Sequence, residues 1–263
     1  MDPFLKGLRC HRNRQSTHPH KMRNMSVWDL IPSMVVEAII LDFGGTLASG
    51  QMDWDEYHLA IQGLLKGTGH PVRLKELKKA IRASLGELKR TRSKGREMTL
   101  EEVYGFALTR LGLPPKGETL EMIHDLFKRL YVSTFYPCTE EVLERLAERY
   151  KVALISNTMS DQPRLQLEET GLDKHFELIV CSSDLGIRKP NPKIFEYVLE
   201  RLGVEPAEAV HVGDSVEADM DGAVNSGITP VWIKTPGEEP WSGYAISSIC
   251  ELPGFLKKIA AQR

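Results

Sequence analysis

The chain has 263 residues, of which 41% are hydrophobic and 27% charged, and a formal net charge of −2. That balance describes an ordinary globular protein and gives no electrostatic reason to expect a nucleic-acid or membrane-surface binder. No apolar run reaches the ~20 residues needed to cross a bilayer. The four cysteines, Cys10, Cys138, Cys181 and Cys250, form no Cys-x-x-Cys pair. They read as reduced thiols rather than a disulfide frame or a zinc site. The expectation is therefore a soluble, cytoplasmic protein with no nucleic-acid or membrane partner; its oligomeric state is not legible.

Residues 1–34 are basic and almost without aliphatic periodicity, which predicts a disordered extension lacking the apolar core of a secretory signal. Order signals begin at "EAIILD" (37–42), a short apolar run suited to a buried parallel strand. It ends on a carboxylate, Asp42, and breaks into Phe43-Gly44-Gly45-Thr46. From about residue 50 to 136 no strand-like run is apparent and about four helical patterns follow one another. The third opens with a capping box from Thr99 to Glu102 and stops at Gly112. Within the stretch from 50 to 136, residues 73–96 carry ten Lys/Arg against two Glu. These read as a solvated helix face, with a basic lid for phosphorylated substrates as the functional option.

Beyond residue 137 strands and helices alternate. "EEVLERLAERY" places Val142, Leu143, Leu146, Ala147 and Tyr150 on one helical face. "KVALIS" (151–156), "ELIVCS" (177–182), "AVHVGD" (209–214) and "TPVWIK" (229–234) read as further buried strands, and "YAISSI" (244–249) as an edge strand. Asn191, Pro192 and Gly203 supply the N-cap, N1 and stop of another helix. The pattern predicts an α/β fold, a doubly wound parallel sheet of residues 35–50 and 137–263, with residues 51–136 inserted as an all-helical domain.

In such sheets ligands bind beyond the carboxyl ends of the strands, where strand order reverses. The polar residues at those ends are Asp42 and Thr46, Ser156 and Asn157, and Asp214 with Ser215; Lys189 lies in the loop "GIRKPNP". A nucleophile candidate, hydroxyls, a cation and acids thus converge from four loops.

In that order these segments resemble the haloacid dehalogenase-like hydrolase superfamily. "LDFGGT" is similar to its first motif, Asp-x-Asp-Gly-Thr, with one departure, and "ALISN" to the second at Ser156. "GIRKPNP" is similar to the third at Lys189, and "VGDSVEADMD" to the fourth at Asp214 and Asp219. The resemblance covers roughly residues 35–255 and implies subfamily I, a Rossmann-like core with a C1-type helical cap. It further implies a phosphatase acting on a small phosphorylated substrate. Asp42 would be the nucleophile, with Lys189 and Ser156 assisting. Gly45, Thr46 and Asn157 would meet the phosphoryl group, and Mg²⁺ would sit among Asp42, the Gly44 carbonyl, Asp214 and Asp219.

The departure is Gly44, which stands where the resemblance leads one to expect a general acid. Three readings stay open. The first is a phosphatase favouring good leaving groups, with Glu217 or Asp161 as a substitute acid. The second is a 2-haloacid dehalogenase, which needs no leaving-group proton. The third is a catalytically weak sensor of a phosphorylated ligand. Trp54, Tyr57 and His58 are candidates for substrate contact, or else for packing between the inserted helices.

Overall fold

The computed structural model describes residues 35–234, 237 and 241–261; the expectation for residues 1–34 lies outside them. Six strands build one wholly parallel sheet: β1 (Ala38–Leu41), β4 (Lys151–Ser156), β5 (Leu178–Cys181), β6 (Ala209–Gly213), β7 (Thr229–Ile233) and β8 (Tyr244–Ile246). Their spatial order is β5-β4-β1-β6-β7-β8. The chain winds outward from β1 to one edge and then returns to build the other half, so the switch in direction lies beside β1.

The continuous apolar runs follow from this placement. β1 is buried along its whole length and pairs with both β4 and β6. Ile39 and Leu41 face one layer of the core with Val152, Leu154, Val210 and Val212. Ala38 and Ile40 face the other layer with Ala153, Ile155 and Phe195. The layers are covered by α5 (Thr139–Ala147), α6 (Gln162–Thr170), α7 (Ser182–Leu185), α8 (Pro192–Leu202), α9 (Gly222–Asn225) and α10 (Leu252–Ala261). Asn191 caps α8 through Lys193 N, and Gly203 ends it in the left-handed conformation, as its sequence predicts. In α5, Val142, Leu143 and Leu146 are buried, but Ala147 is exposed at the last turn.

Between β1 and β4 lie α1 (Trp54–Gly67), α2 (Leu74–Arg92), α3 (Leu100–Arg110) and α4 (Gly117–Leu130). They pack on a core of their own that includes Tyr57, Ile61, Leu77, Tyr104, Leu108 and Phe127. The capping box at Thr99 and Glu102 is formed. Tyr57 is fully buried here, its hydroxyl donating to Ile123 O at 3.2 Å, so it packs the helices, while Trp54 is half exposed.

Two expectations are corrected. The stretch from 50 to 136 is not free of strands: β2 (Ala48–Gln51) and β3 (Val132–Phe135) form an antiparallel ribbon at the two ends of the helical segment. Four residues of "VSTF", half exposed, carry too little pattern to read alone; the distant partner strand defines them. The thiols are also not all reduced, since Cys138 and Cys250 are disulfide-bonded, with Cα atoms 5.6 Å apart across a separation of 112 residues. Cys138 sits at the start of α5 and Cys250 in the turn before α10, so the fold juxtaposes positions that spacing could not pair. Cysteine usage therefore no longer argues for a reducing compartment. No helix among the described residues is long and apolar enough to cross a membrane.

Closing so long a loop removes much chain entropy from the unfolded state. The Cys138→Ser variant is expected to lose about 2–4 kcal/mol of stability, and thermal unfolding with and without reductant should reproduce that loss in the wild type. Two free thiols at these positions in non-reducing peptide mapping would contradict the pairing.

Candidate active site

The carboxyl ends of β1, β4 and β6 open into a cleft of about 330 Å³, lined on the core side by Asp42, Gly44, Ser156, Asn157, Lys189, Asp214 and Asp219. At its centre is one buried ammonium. Lys189 is 1% exposed, and its Nζ lies 2.7 Å from Asp42 Oδ1 and 2.6 Å from Asp219 Oδ1. Burial works against its charge, but Asp219 and Asp42 outweigh it and hold the pKa above the usual lysine value.

The two carboxylates respond differently. Burial pushes Asp42 up to about 6; Lys189 opposes this, while the nearby charges of Asp219 and Asp214 add to it. At neutral pH Asp42 is thus still mainly ionised, and a cation beside it would deepen that ionisation. Asp219 is also buried, which raises its pKa, yet Lys189 and His211 together hold it below the usual carboxylate range. Its Oδ1 faces His211 Nε2 at 2.8 Å and its Oδ2 accepts from Ser215 N at 3.1 Å.

Local backbone constraints fix these groups. After β1 the chain folds tightly, with Leu47 N and Ala48 N both bonding to Phe43 O. Gly45 has φ +77° there, and a Cβ on it would come within 2.0 Å of Asp214 Oδ2. A side chain is therefore excluded twice, by conformation and by the approach of Asp214. Gly213 is equally constrained, since a Cβ would stand 2.2 Å from Asp219 Cγ. Thr46 is fully buried and its hydroxyl donates to Asp42 Oδ2 at 3.3 Å. The Asn157 amide makes a reciprocal pair with the Lys189 main chain, at 2.9 Å to N and 3.0 Å to O. Asn157 thus fixes where the lysine leaves the backbone. Gly45 and Thr46 do not line the main cleft; they border a smaller hollow on the other side of Asp214.

Asp42, Asp214 and Asp219 each offer an oxygen, and these oxygens lie within 4.8 Å of one another. Three hard anionic oxygen donors so close fit a divalent cation such as Mg²⁺. Both oxygens of Asp219 already have partners within the protein, as do both of Asp42, so a bound cation would share these carboxylates with Lys189 rather than displace it.

The substitute acids considered from sequence do not border the cleft. Asp161 turns toward His124 Nε2 at 3.2 Å, and Glu217 is exposed. None of the ten basic residues between 73 and 96 lines it either. Two participants escaped the sequence reading. His211 sits between Val210 and Val212 on β6, its side chain against the Phe195 ring at 5.1 Å. A polar residue inside a buried apolar run was its signal, for such a group requires a partner. Glu97, 4% exposed, accepts from Arg92 Nε at 2.9 Å, Arg188 Nη1 at 2.9 Å and Ser182 Oγ at 3.2 Å. Glu97 N also donates to Gly186 O at 3.0 Å. It anchors the helical segment to the loop that carries Lys189.

Comparison with known proteins agrees with this geometry. Residues 36–227 match the haloacid dehalogenase-like hydrolase family. The chain belongs to that family. It is 34% identical over 132 residues to pyrimidine 5′-nucleotidase YjjG of Escherichia coli, covering 48% of this chain and 59% of that one. The chain thus spans less than two thirds of that relative. It is 30% identical over 164 residues to (S)-2-haloacid dehalogenase 4A of Burkholderia cepacia, covering 60% of this chain and 69% of that one. A crystal structure of a HAD phosphatase from Thermococcus onnurineus superposes with a TM-score of 0.58 at 28% identity, covering 84% of this chain and 98% of that one.

Removing the lysine head group while keeping the stem tests the central pair. Lys189→Met leaves Asp42 and Asp219 facing each other without their counter-charge, and should cost about 3–5 kcal/mol. A drop of roughly 10 °C in Tm is expected for a domain of this size. Unchanged thermal unfolding would show that the cluster does not depend on Lys189.

Proposed function

We propose that the protein is a Mg²⁺-dependent phosphomonoester hydrolase that forms a phosphoryl-enzyme intermediate on Asp42. The observation that carries this reading is the position of Asp42. It is buried, mainly ionised at neutral pH, and held by Lys189 and Thr46 at a cleft where two further carboxylates converge.

Asp42 attacks phosphorus as the bond to the ester oxygen breaks, and water then attacks the aspartyl-phosphate to release inorganic phosphate. Repulsion between a carboxylate and a phosphate dianion must be offset. Lys189 supplies one positive charge at 2.7 Å, and Ser156, on the cleft wall, is positioned to donate to a phosphoryl oxygen. Asp42, Asp214 and the Gly44 carbonyl would hold Mg²⁺, oriented by Asp219; when bound it neutralises phosphoryl charge as a Lewis acid. The helical segment acts as the cap over this cleft, contributing Phe127 and Tyr131 to its wall.

Gly44 brings no proton donor, and the leaving oxygen departs without the assistance that is typically worth about 10² to 10⁴ in rate. The enzyme should therefore favour substrates with stable leaving anions. The same gap would suit a haloacid dehalogenase, a reading that the Burkholderia relative favours. Against it stands the substrate carboxylate, which needs a cation. Among the described residues lining the cleft, the cationic side chains are Lys189 and Arg188, and both already pair with acids. A catalytically weak sensor is disfavoured because it would have no use for a buried nucleophile held in this way.

The test is phosphate release from an aryl and an alkyl phosphate, with Mg²⁺ or EDTA. Mg²⁺-dependent release that vanishes in Asp42→Asn is expected, with the aryl ester favoured. Turnover of 2-haloacids without Mg²⁺, and none of either phosphate, would replace the reading.

Restoring the acid is the complementary test. A Cβ on Gly44 meets no atom within 4 Å, so the backbone leaves open space where the Gly44→Asp side chain begins. That substitution should raise kcat on the alkyl phosphate by about 10² or more. No gain in a folded variant would mean that the proton already comes from elsewhere.

A further inference from the structure

The outer half of the cleft has features that phosphoryl transfer does not use. Gln162 and Gln166 stand one turn apart on α6 and both line it. They are 7% and 8% exposed, and neither Oε1 has a hydrogen-bond partner. Buried amide oxygens without partners are uncommon, because each loses its hydration with no return. Two on the same helical face bordering one cleft point to a ligand that completes them. Across from them Phe127 and Tyr131 are stacked, with ring centroids 5.4 Å apart and planes 20° apart. The position of Tyr131 is enforced by Gly50, where a Cβ would lie 1.9 Å from the tyrosine hydroxyl oxygen.

We propose that Gln162 and Gln166 form a specificity subsite for the organic part of the substrate, and that this part is an uncharged ring bearing hydroxyl groups. The inference rests on the phosphatase reading and goes beyond it by naming a substrate class. A hydroxyl both donates and accepts, so adjacent hydroxyls satisfy the carbonyl and the amino group of a carboxamide together. The apolar face of a ring suits the aromatic pair. Charge argues in the same direction. Lys189 is committed to Asp42 and Asp219, and Arg188 to Glu97. Among the described residues lining the cleft, a substrate carboxylate would find no free cationic side chain. A volume of about 330 Å³ admits one ring with its phosphate. Monosaccharide phosphates carry the required chemistry, as does the ribose of a nucleoside monophosphate provided its base projects from the cleft.

Selectivity is the readout. Wild type, Gln162→Met and Gln166→Met are assayed with Mg²⁺ on a hexose phosphate, a nucleoside 5′-monophosphate, O-phosphoserine, phosphoglycolate and p-nitrophenyl phosphate. Methionine keeps the side-chain length but has no hydrogen-bonding amide. The wild type should prefer a hydroxylated ring to both charged substrates. Each substitution should lower kcat/KM for that ring, relative to p-nitrophenyl phosphate, by about tenfold or more, mainly through KM. Calorimetric binding of the same compounds to Asp42→Asn provides a second readout that needs no turnover. If binding of hydroxylated phosphates persists and weakens in the glutamine variants while the wild type hydrolyses nothing, the subsite stands and the phosphatase reading fails. Preference for O-phosphoserine or phosphoglycolate overturns the subsite. So does an unchanged ratio in both folded variants, or failure of every hydroxylated phosphate to bind.

Discussion

A single ammonium buried between two carboxylates organises the molecule. Burying three charges is costly, and it is tolerated only where each charge has partners at close range. The protein meets this condition from four directions. β1 delivers Asp42, the segment after β6 delivers Asp219, His211 supports Asp219 from inside the sheet, and Asn157 fixes the backbone of Lys189. The glycines at 45 and 213 go with this packing, since Asp214 could not approach the first, nor Asp219 the second, if a side chain stood there. Cluster and sheet are therefore mutually dependent: the parallel strands bring the charges together, and the charges close the strand ends.

Much of this was legible in the sequence because parallel strands bury both faces and leave unbroken apolar runs. The runs ending at Asp42, Ser156 and Asp214 announced both the sheet and the polar residues at its carboxyl edge. Helix caps at Thr99 and Asn191 were equally plain, because capping is a local interaction. What escaped was what depends on distant partners. The β2–β3 ribbon joins two short segments more than eighty positions apart, and the pairing of Cys138 with Cys250 arises only when α5 meets the turn before α10. Tyr57, a candidate for substrate contact, proved to be a packing residue. The aromatic wall of the cleft comes instead from Phe127 and Tyr131, which carry no local signature of function.

The cleft combines an anionic floor with outer walls short of available charge. The cationic side chains among the described residues lining it, Lys189 and Arg188, are engaged by protein acids, so on the proposed reading further positive charge for a phosphate would come from a metal held by the carboxylates. On that reading this separates two tasks that many sites merge: the floor would handle the phosphoryl group, and the amide and aromatic walls the remainder.

Glu97 has a consequence for how such inserts can be exchanged. It belongs to the helical segment, yet its partners Arg188 and Ser182 belong to the sheet domain and both precede Lys189 in the chain, Arg188 directly. A chimera that took its helical insert from another family member without a carboxylate at this point would strand a half-buried guanidinium beside the central lysine. Substrate range in this protein cannot be rewritten by transplanting the helices alone. The donor insert has to carry an acid that reaches Arg188, or the recipient loop has to be changed with it.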